Sequence, residues 1–137
     1  MRAVIFDGHP FKIQVRDVPK ADVVRQTDAV VRVTSAAICG SDLHNYHGVF
    51  GSKQVPYPIG HEAMGIVEST GADVDSVKVG DRVIIPDFPD GVGLELDPET
   101  KATIALYGEG SDFGNLGGCQ GKIERCRIMF YYSMVCV

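Results

Sequence analysis

The sequence predicts a mainly β domain, built as a small antiparallel barrel or sandwich with short helices. The chain of 137 residues has the length of one domain. Its first half contains short segments of strand composition, and turn signals such as GADVDSVKVGD separate them at short intervals. Short strands at close intervals are typical of antiparallel folds rather than of an α/β sheet.

Four segments have the composition of strands. The first, FKIQVRDV, alternates apolar with polar side chains, which is the pattern of a half-buried strand. The second, AVVRVTSAA, is rich in β-branched residues. Gly65 within the third, AMGIVEST, indicates a bulge or a close approach of another backbone, and Pro86 ends the fourth, DRVIIP. The segments are residues 11–18, 29–37, 63–70 and 81–86.

One short helix is predicted after Gly40, in the segment SDLHNYHG. Ser41 or Asp42 can cap its first turn, and Gly48 can end it. The sequence shows no internal repeat.

Residues 86–118 are rich in Gly, Pro and Asp, and they predict a long flexible loop with at most one strand, near ATIALY. Within this loop, GEGSDFG has one residue too many for the dinucleotide fingerprint GxGxxG. The segment also does not lie between a clear strand and a helix, as that fingerprint requires. The sequence therefore predicts no nucleotide site in this chain.

Charge and composition exclude several classes of function. The formal net charge is −5 and the 13 Lys and Arg residues are scattered, whereas a nucleic-acid footprint needs a clustered basic face. The C-terminal run IMFYYSMVCV is apolar but about half as long as the ~20 residues that span a bilayer. MRAVIFDGHP contains no secretory signal, and the cysteines at 39, 119, 126 and 136 form no CxxC pair. We therefore expect a cytoplasmic protein with no nucleic-acid or membrane partner.

Cys39 and His61 are the residues that indicate chemistry. Each alone has a structural explanation, Cys39 as a small buried apolar side chain and His61 as a core histidine. Together they fit Zn²⁺, which takes sulfur and nitrogen ligands, and catalytic zinc sites keep three protein ligands and one open position. The carboxylates of Asp42 and Glu62 are candidates for orienting such ligands.

Two further side chains near Cys39 suit proton transfer. Ser41 offers a hydroxyl beside the metal, and His44 can pass a proton to solvent. Structural alternatives stay open at this point. Ser41 and Asp42 can simply cap the short helix, and His44 with His47 can form one solvated helix face.

Three ordered motifs resemble the zinc-dependent alcohol dehydrogenase family of medium-chain dehydrogenases. GHEAMGIVESTGADV satisfies the zinc signature of that family, ICGSDLHNYHG resembles its first-ligand segment, and VKVGDRVIIP resembles its Gly-Asp-Arg-Val strand. The resemblance covers residues 1–120 and implies the N-terminal GroES-like catalytic domain, a partly open antiparallel barrel with short helices. The Rossmann cofactor domain of the family is expected to be absent from this chain.

The resemblance implies a role for each matching residue at the metal. Cys39 and His61 match two protein ligands of the catalytic zinc. Glu62 matches an acidic neighbour that lies close to the metal and sometimes ligates it. Asp42 matches the carboxylate that accepts a hydrogen bond from the ligand histidine.

The resemblance also implies a reaction. Ser41 matches the hydroxyl that takes the proton of the substrate alcohol, and His44 matches the relay member nearer to solvent. The implied activity is hydride transfer between a small alcohol and NAD(P), giving an aldehyde or ketone, with zinc polarising the substrate oxygen. Homo-oligomers are expected among full-length relatives, and no binding of NAD(P) is expected for this chain alone.

Three departures from the family pattern lead to further expectations. Residues 86–118 contain no cysteine, so we expect no structural zinc. After Gln120 the sequence GKIERCRIMFYYSMVCV leaves the family pattern, which predicts a non-family tail over residues 121–137, produced by a frameshift or a retained intron. The third zinc ligand and the cofactor domain of the family lie further downstream. The chain is therefore expected to be truncated, to hold zinc loosely and to be inactive alone.

Three alternative functions stay open. A GroES-like binding or scaffold module requires neither Cys39 nor the Gly-His-Glu motif. A zinc-free quinone reductase-like protein would leave the same residues unexplained. A non-functional readthrough product would carry an apolar tail that promotes association.

Overall fold

The computed structural model describes residues 1–87, 105–127 and 135–136. In these ranges one short helix, α1, spans Asp42–Tyr46, and a single 3₁₀ turn spans Ser111–Phe113. The strands are β1 (Arg2–Phe6), β2 (Ile13–Asp17), β3 (Asp28–Ala36), β4 (Tyr57–Pro58), β5 (Ala63–Thr70), β6 (Arg82–Ile85), β7 (Ile123–Arg127) and β8 (Val135–Cys136). No helix in the described ranges is long and apolar enough to cross a membrane.

The strands form two antiparallel sheets. The smaller sheet has the order β2-β1-β4, and the larger sheet has the order β7-β3-β5-β6-β8. The outer strands of the larger sheet, β7 and β8, are not paired with each other, so the described sheet does not close into a complete barrel. The fold is mainly β and partly open, which confirms the predicted fold class.

The main core lies against β3, β5 and β6, whose alternate side chains point to one side. The segment 105–119 adds further apolar side chains to the same cluster. Burying one Val, Leu or Ile side chain stabilises a fold by roughly 1.5–3 kcal/mol, so this cluster holds the larger sheet together. Its buried members are Ala29, Val31, Ala63, Val67, Val77, Val83, Ile85, Tyr107, Leu116 and Cys119.

Three of the predicted strands are confirmed as β3, β5 and β6, and β6 ends before Pro86 as expected. A Cβ atom on Gly65 would collide with the carbonyl oxygen of Arg32 on β3. The register between β3 and β5 shifts close by, between Val33 and Ser35. Gly65 therefore allows the close backbone approach that the sequence predicts.

The first predicted strand is present as β2, but the burial that its alternation predicts is wrong. Phe11 and Val15 are 67% and 62% exposed, and Phe11 precedes the strand with a φ of 65°. Within the described residues β2 pairs only with β1, at the edge of the smaller sheet, and Arg16 forms an ion pair with Asp7 there. An edge strand gives its apolar side chains few neighbours, which a period-two pattern cannot indicate.

The predicted flexible loop is only partly within the described residues. Residues 88–104 lie outside them, and with them the first half of the segment ATIALY, where a strand is expected; its second half, residues 105–107, is not in a strand. Residues 105–118 contain no strand, as expected of a loop, but they contribute Tyr107 and Leu116 to the core; the flexibility expected of this loop stays a prediction. Gly108, with a φ of +72°, lies against the backbone of Gly60. The glycines that suggested a loop are used here for close packing, because a residue without Cβ admits another backbone.

The predicted non-family tail contributes to the larger sheet through its first residues. The backbone of β7 pairs with β3 from Asp28 with Arg127 to Arg32 with Ile123. Residues 128–134 and 137 lie outside the described residues.

Candidate metal centre

Two chain segments meet at one end of the β3–β5 pair. The last residue of β3 and the first residue of β5, Ala36 and Ala63, are register partners. The residue after β3 donates a backbone hydrogen bond of 3.0 Å to the carbonyl oxygen of Glu62. The antiparallel pairing therefore places Cys39, which follows β3, beside His61 and Glu62, which precede β5.

The side chains of Cys39, His61 and Glu62 converge at this point. One ligand atom from each residue, a sulfur, a ring nitrogen and a carboxylate oxygen, lies within 4.8 Å of the other two. His61 is buried and Cys39 is half-buried. A thiolate, an imidazole and a carboxylate form a donor set that suits Zn²⁺. The structure thus brings together the three residues predicted as metal ligands.

Asp42 contacts both the segment of Cys39 and the ring of His61. Its Oδ2 atom accepts a hydrogen bond of 2.8 Å from the backbone N–H of Cys39. Its Oδ1 atom lies 3.4 Å from Nδ1 of His61 and, although buried, has no hydrogen-bond partner in the described residues. A carboxylate facing Nδ1 favours the tautomer that carries the proton there and leaves Nε2 free as a ligand. The orphaned buried oxygen and the donor set together fit a metal ion held by the neighbouring histidine.

Ser41 points into the cluster and not along the helix. Its Oγ atom lies 3.0 Å from Nε2 of His61 and donates to Sγ of Cys39 at 3.2 Å. Ser41 is the residue before α1, yet its side chain makes no capping hydrogen bond. The alternative in which Ser41 simply caps the helix is therefore wrong, because its hydroxyl is committed to the two candidate ligands.

The surroundings favour the ionised forms of the two candidate ligands. Hydrogen bonds from the side chain and backbone of Ser41, and then from His61, lower the pKa of the Cys39 thiol, although burial and Glu62 raise it. Burial is the largest influence on His61 and lowers its pKa, but the contact with Cys39 and the charges of Asp42 and Asp87 outweigh it and raise the pKa. These contacts shift Cys39 towards the thiolate and His61 towards its protonated form, so an entering cation would compete with protons for both ligands.

The match to known sequences identifies the domain. The family model described as "Alcohol dehydrogenase GroES-like domain" matches residues 25–126. The chain belongs to this alcohol dehydrogenase family. The match extends beyond residue 120, so the boundary expected there stays a prediction, as does the origin of the tail.

Individual relatives support the same family. The chain is 50% identical over 86 residues to an uncharacterized zinc-type alcohol dehydrogenase-like protein of Bacillus subtilis, covering 63% of this chain and 22% of the relative. It is 36% identical over 125 residues to a probable zinc-binding alcohol dehydrogenase of Mycobacterium tuberculosis, covering 90% and 32%. The chain therefore spans less than a third of the length of these curated relatives.

A solved alcohol dehydrogenase has the same architecture as this family member. The alcohol dehydrogenase TADH of Thermus sp. ATN1 superposes with a TM-score of 0.77 and 35% sequence identity. The superposition covers 93% of this chain and 37% of the solved one. The described fold is thus the fold of one part of that longer solved enzyme.

His44, which the resemblance implies as the relay residue nearer to solvent, lies apart from the cluster of Cys39, His61 and Glu62. It is exposed on α1, and the hydrogen bonds that join Cys39, Ser41, Asp42 and His61 do not include its ring. The structure leaves it at the solvent side of the helix, so both its relay role and its role on a solvated face stay predictions.

Sequence reasoning missed two residues that contact the neighbourhood of the centre. The side-chain amide of Gln120 donates to Oδ2 of Asp42 at 3.3 Å, and Glu109 is buried beside Asn45 of α1. Gln120 stands where the family pattern ends, and Glu109 stands in a glycine-rich segment. Neither position has a local signal, because the partner of each lies more than sixty residues away in the chain.

Proposed function

We propose that this chain carries the metal-binding catalytic half of a zinc-dependent oxidoreductase that interconverts alcohols with aldehydes or ketones, using NAD(P). The observation that carries the proposal is the convergence of Cys39, His61 and Glu62 within 4.8 Å. The zinc-type names of two relatives support the choice of metal. A binding or scaffold module would have no use for such a donor set, and no observation on the described residues favours that alternative.

Cys39, His61 and Glu62 would hold the ion, and zinc would supply a Lewis acid for the oxygen of the substrate. Asp42 keeps the proton of His61 on Nδ1, so the lone pair of Nε2 faces the cluster. Asp42 also fixes the backbone of Cys39 through its second oxygen. The carboxylate therefore sets the direction of both ligands at once.

Ser41 is the residue best placed to move a proton. Its Oγ atom touches both candidate ligands, so a hydroxyl group of a substrate at the centre would lie within reach of it. When the alcohol is oxidised, Ser41 accepts the hydroxyl proton and releases its own towards solvent. His44, exposed one turn along α1, is the proposed next acceptor.

Hydride transfer needs a nicotinamide ring, which the described residues give no sign of binding. In the proposal the ring comes from a cofactor domain outside the matched residues 25–126. We expect this chain alone to bind zinc and to show no tight binding of NAD(P) and no turnover. Clear NAD(P) binding by the purified chain would contradict this division of roles.

Metal analysis of the purified chain tests the proposal. We expect about one Zn²⁺ per chain, as a single catalytic site requires. Cys39→Ala and His61→Ala should each remove it. His9→Ala, which changes an exposed histidine paired with Asp7, is the matched control and should keep the metal. Full zinc content in both ligand variants would refute the proposal.

A further inference from the structure

A second group of buried polar side chains lies behind α1. Glu109, Asn45 and Tyr57 are 5%, 0% and 4% exposed. Both carboxylate oxygens of Glu109 accept hydrogen bonds from Nδ2 of Asn45, at 2.9 and 3.0 Å. The hydroxyl of Tyr57 donates to Oδ1 of the same amide at 2.7 Å. The amide of Asn45 is therefore held from both ends.

Asn45 links this group to the candidate metal centre through the helix. Asn45 and Asp42 are three residues apart on α1, which places them on one face, and both are buried. Asp42 is the residue that contacts the backbone of Cys39 and the ring of His61. A rotation of α1 that displaced Asn45 from Glu109 would also move Asp42 away from the candidate ligands.

The segment of Glu109 also touches the other half of the centre. Gly108 directly precedes Glu109, and Gly60 directly precedes His61. A Cβ atom on Gly108 would lie 2.5 Å from the carbonyl oxygen of Gly60, so the two backbones are in direct contact. Glu109 is thus anchored on the segment of His61 while it holds the helix of Asp42.

Charges at the centre act on Glu109. Burial raises the pKa of Glu109, the hydrogen bond from Asn45 and the charge of His61 lower it, and the charge of Asp42 raises it. A buried carboxylate is costly unless its hydrogen bonds and neighbouring charges compensate for it. A cation beside His61 would add to this compensation.

We propose that Glu109 is a positioning residue for the Cys39–His61–Glu62 centre. Its carboxylate, acting through Asn45, holds α1 in the orientation that keeps Asp42 against the two ligand segments. Glu109 does not touch the metal position itself. This inference rests on the proposed function in one respect, since it requires that the centre binds a metal ion.

Co²⁺ binding to the full chain tests the inference without any assay of activity. Affinity is measured by competition with a chromophoric chelator, and the thiolate-to-Co²⁺ absorption band reports the geometry at Cys39. Glu109→Gln keeps the shape but can satisfy only one of the two contacts with Asn45. We expect it to weaken Co²⁺ affinity about tenfold, which is the lower end of the range of losses found for residues that orient metal ligands. We also expect the thiolate-to-Co²⁺ absorption band to change. Ser52→Ala is the control, because Ser52 is buried nearby but bonds Asp112.

Asn45→Ala removes the other partner of the contact between Asn45 and Glu109. It should weaken Co²⁺ affinity to a similar degree, and the double variant should lose no more than the larger single loss. Should Glu109→Gln fail to fold, the comparison of Asn45→Ala with Ser52→Ala decides alone. Wild-type affinity and spectrum in Glu109→Gln, additive losses in the double variant, or an equal loss in Ser52→Ala would each overturn the inference. Absence of Co²⁺ binding by the unaltered chain would instead refute the metal centre, and the inference with it.

Discussion

Oδ1 of Asp42 lies 3.4 Å from Nδ1 of His61, and the two side chains are only 5% and 9% exposed. This buried pair, together with the bond from Cys39 N–H to the other carboxylate oxygen, joins two segments that are distant in the chain. It explains how a five-residue helix can fix a candidate metal centre: the helix contributes the carboxylate, and the paired strands β3 and β5 bring the ligands to it.

Asp42→Asn should weaken zinc binding by about 10- to 100-fold, the range found when a residue that orients a metal ligand is lost. The amide keeps the shape of the side chain but removes the charge that holds the proton of His61 on Nδ1. The measurement is zinc affinity by chelator competition. Asp17→Asn, at an exposed position of β2, is the control. Equal affinities in the two variants would show that Asp42 has no role at the centre.

Ser41→Ala should raise the pKa of Cys39 towards its ordinary value of 9.0, because the hydrogen bond from Ser41 is the largest cause that lowers it. Thiolate absorbance of the metal-free chain, titrated against pH and corrected with Cys39→Ala, measures the change. Below pH 9 the variant should therefore hold less thiolate than the unaltered chain. Ser76→Ala, an exposed serine, should leave the titration unchanged; a shift there of the same size would contradict the assignment.

Glu109 should make the metal-free chain less stable as pH rises. Its pKa in the folded chain is raised above its ordinary value of 4.5 by burial, so the folded state binds its proton more tightly than the unfolded state does. The stabilisation is complete below pH 4.5 and is lost as pH rises through the folded pKa. The charges of His61 and Asp42 act on Glu109 and both residues are kept in Glu109→Gln, so the difference in urea midpoint between the two proteins, followed against pH, reports on this group. A difference that is constant with pH would contradict the prediction.

Gly51→Ala should destabilise the fold by about 2–4 kcal/mol, from left-handed strain and overpacking together. Gly51 has a φ of +94°, and a Cβ atom there would collide with the hydroxyl of Tyr57 and Oδ1 of Asn45. Gly80→Ala is a matched control, because Gly80 has a φ of +97° and open space around it. It should cost about 1–2 kcal/mol from strain alone. Denaturant unfolding measures the two losses. Equal losses of the free energy of unfolding in Gly51→Ala and Gly80→Ala would show that the hydrogen bonds of Asn45 tolerate displacement.

The strands and the metal residues could be predicted for different reasons. β3, β5 and β6 carry β-branched side chains at strand positions, so local composition is enough to find them. Cys39 and His61 stand in motifs whose residue types are those that zinc selects, and their meeting follows from the pairing of β3 with β5.

Other features depend on partners that a sequence does not display. Asn45 and Glu109 are 64 residues apart, and neither position has a pattern that indicates a buried contact. From the sequence, Ser41 fits a helix cap as well as it fits a proton-transfer residue. The position of its hydroxyl, 3.0 Å from Nε2 of His61, excludes the simple cap. Val15 fits an inward strand position, but β2 is at a sheet edge and leaves it exposed.

X-ray absorption of the zinc-loaded chain reports which atoms bind the ion, and so whether Cys39, His61 and Glu62 form the metal centre. We expect one sulfur donor, from Cys39, at about 2.3 Å and nitrogen or oxygen donors at about 2.0–2.1 Å. The sulfur contribution should vanish in Cys39→Ala. A shell of several sulfur atoms, or a shell of oxygen and nitrogen alone that is unchanged in Cys39→Ala, would contradict a centre built from Cys39, His61 and Glu62.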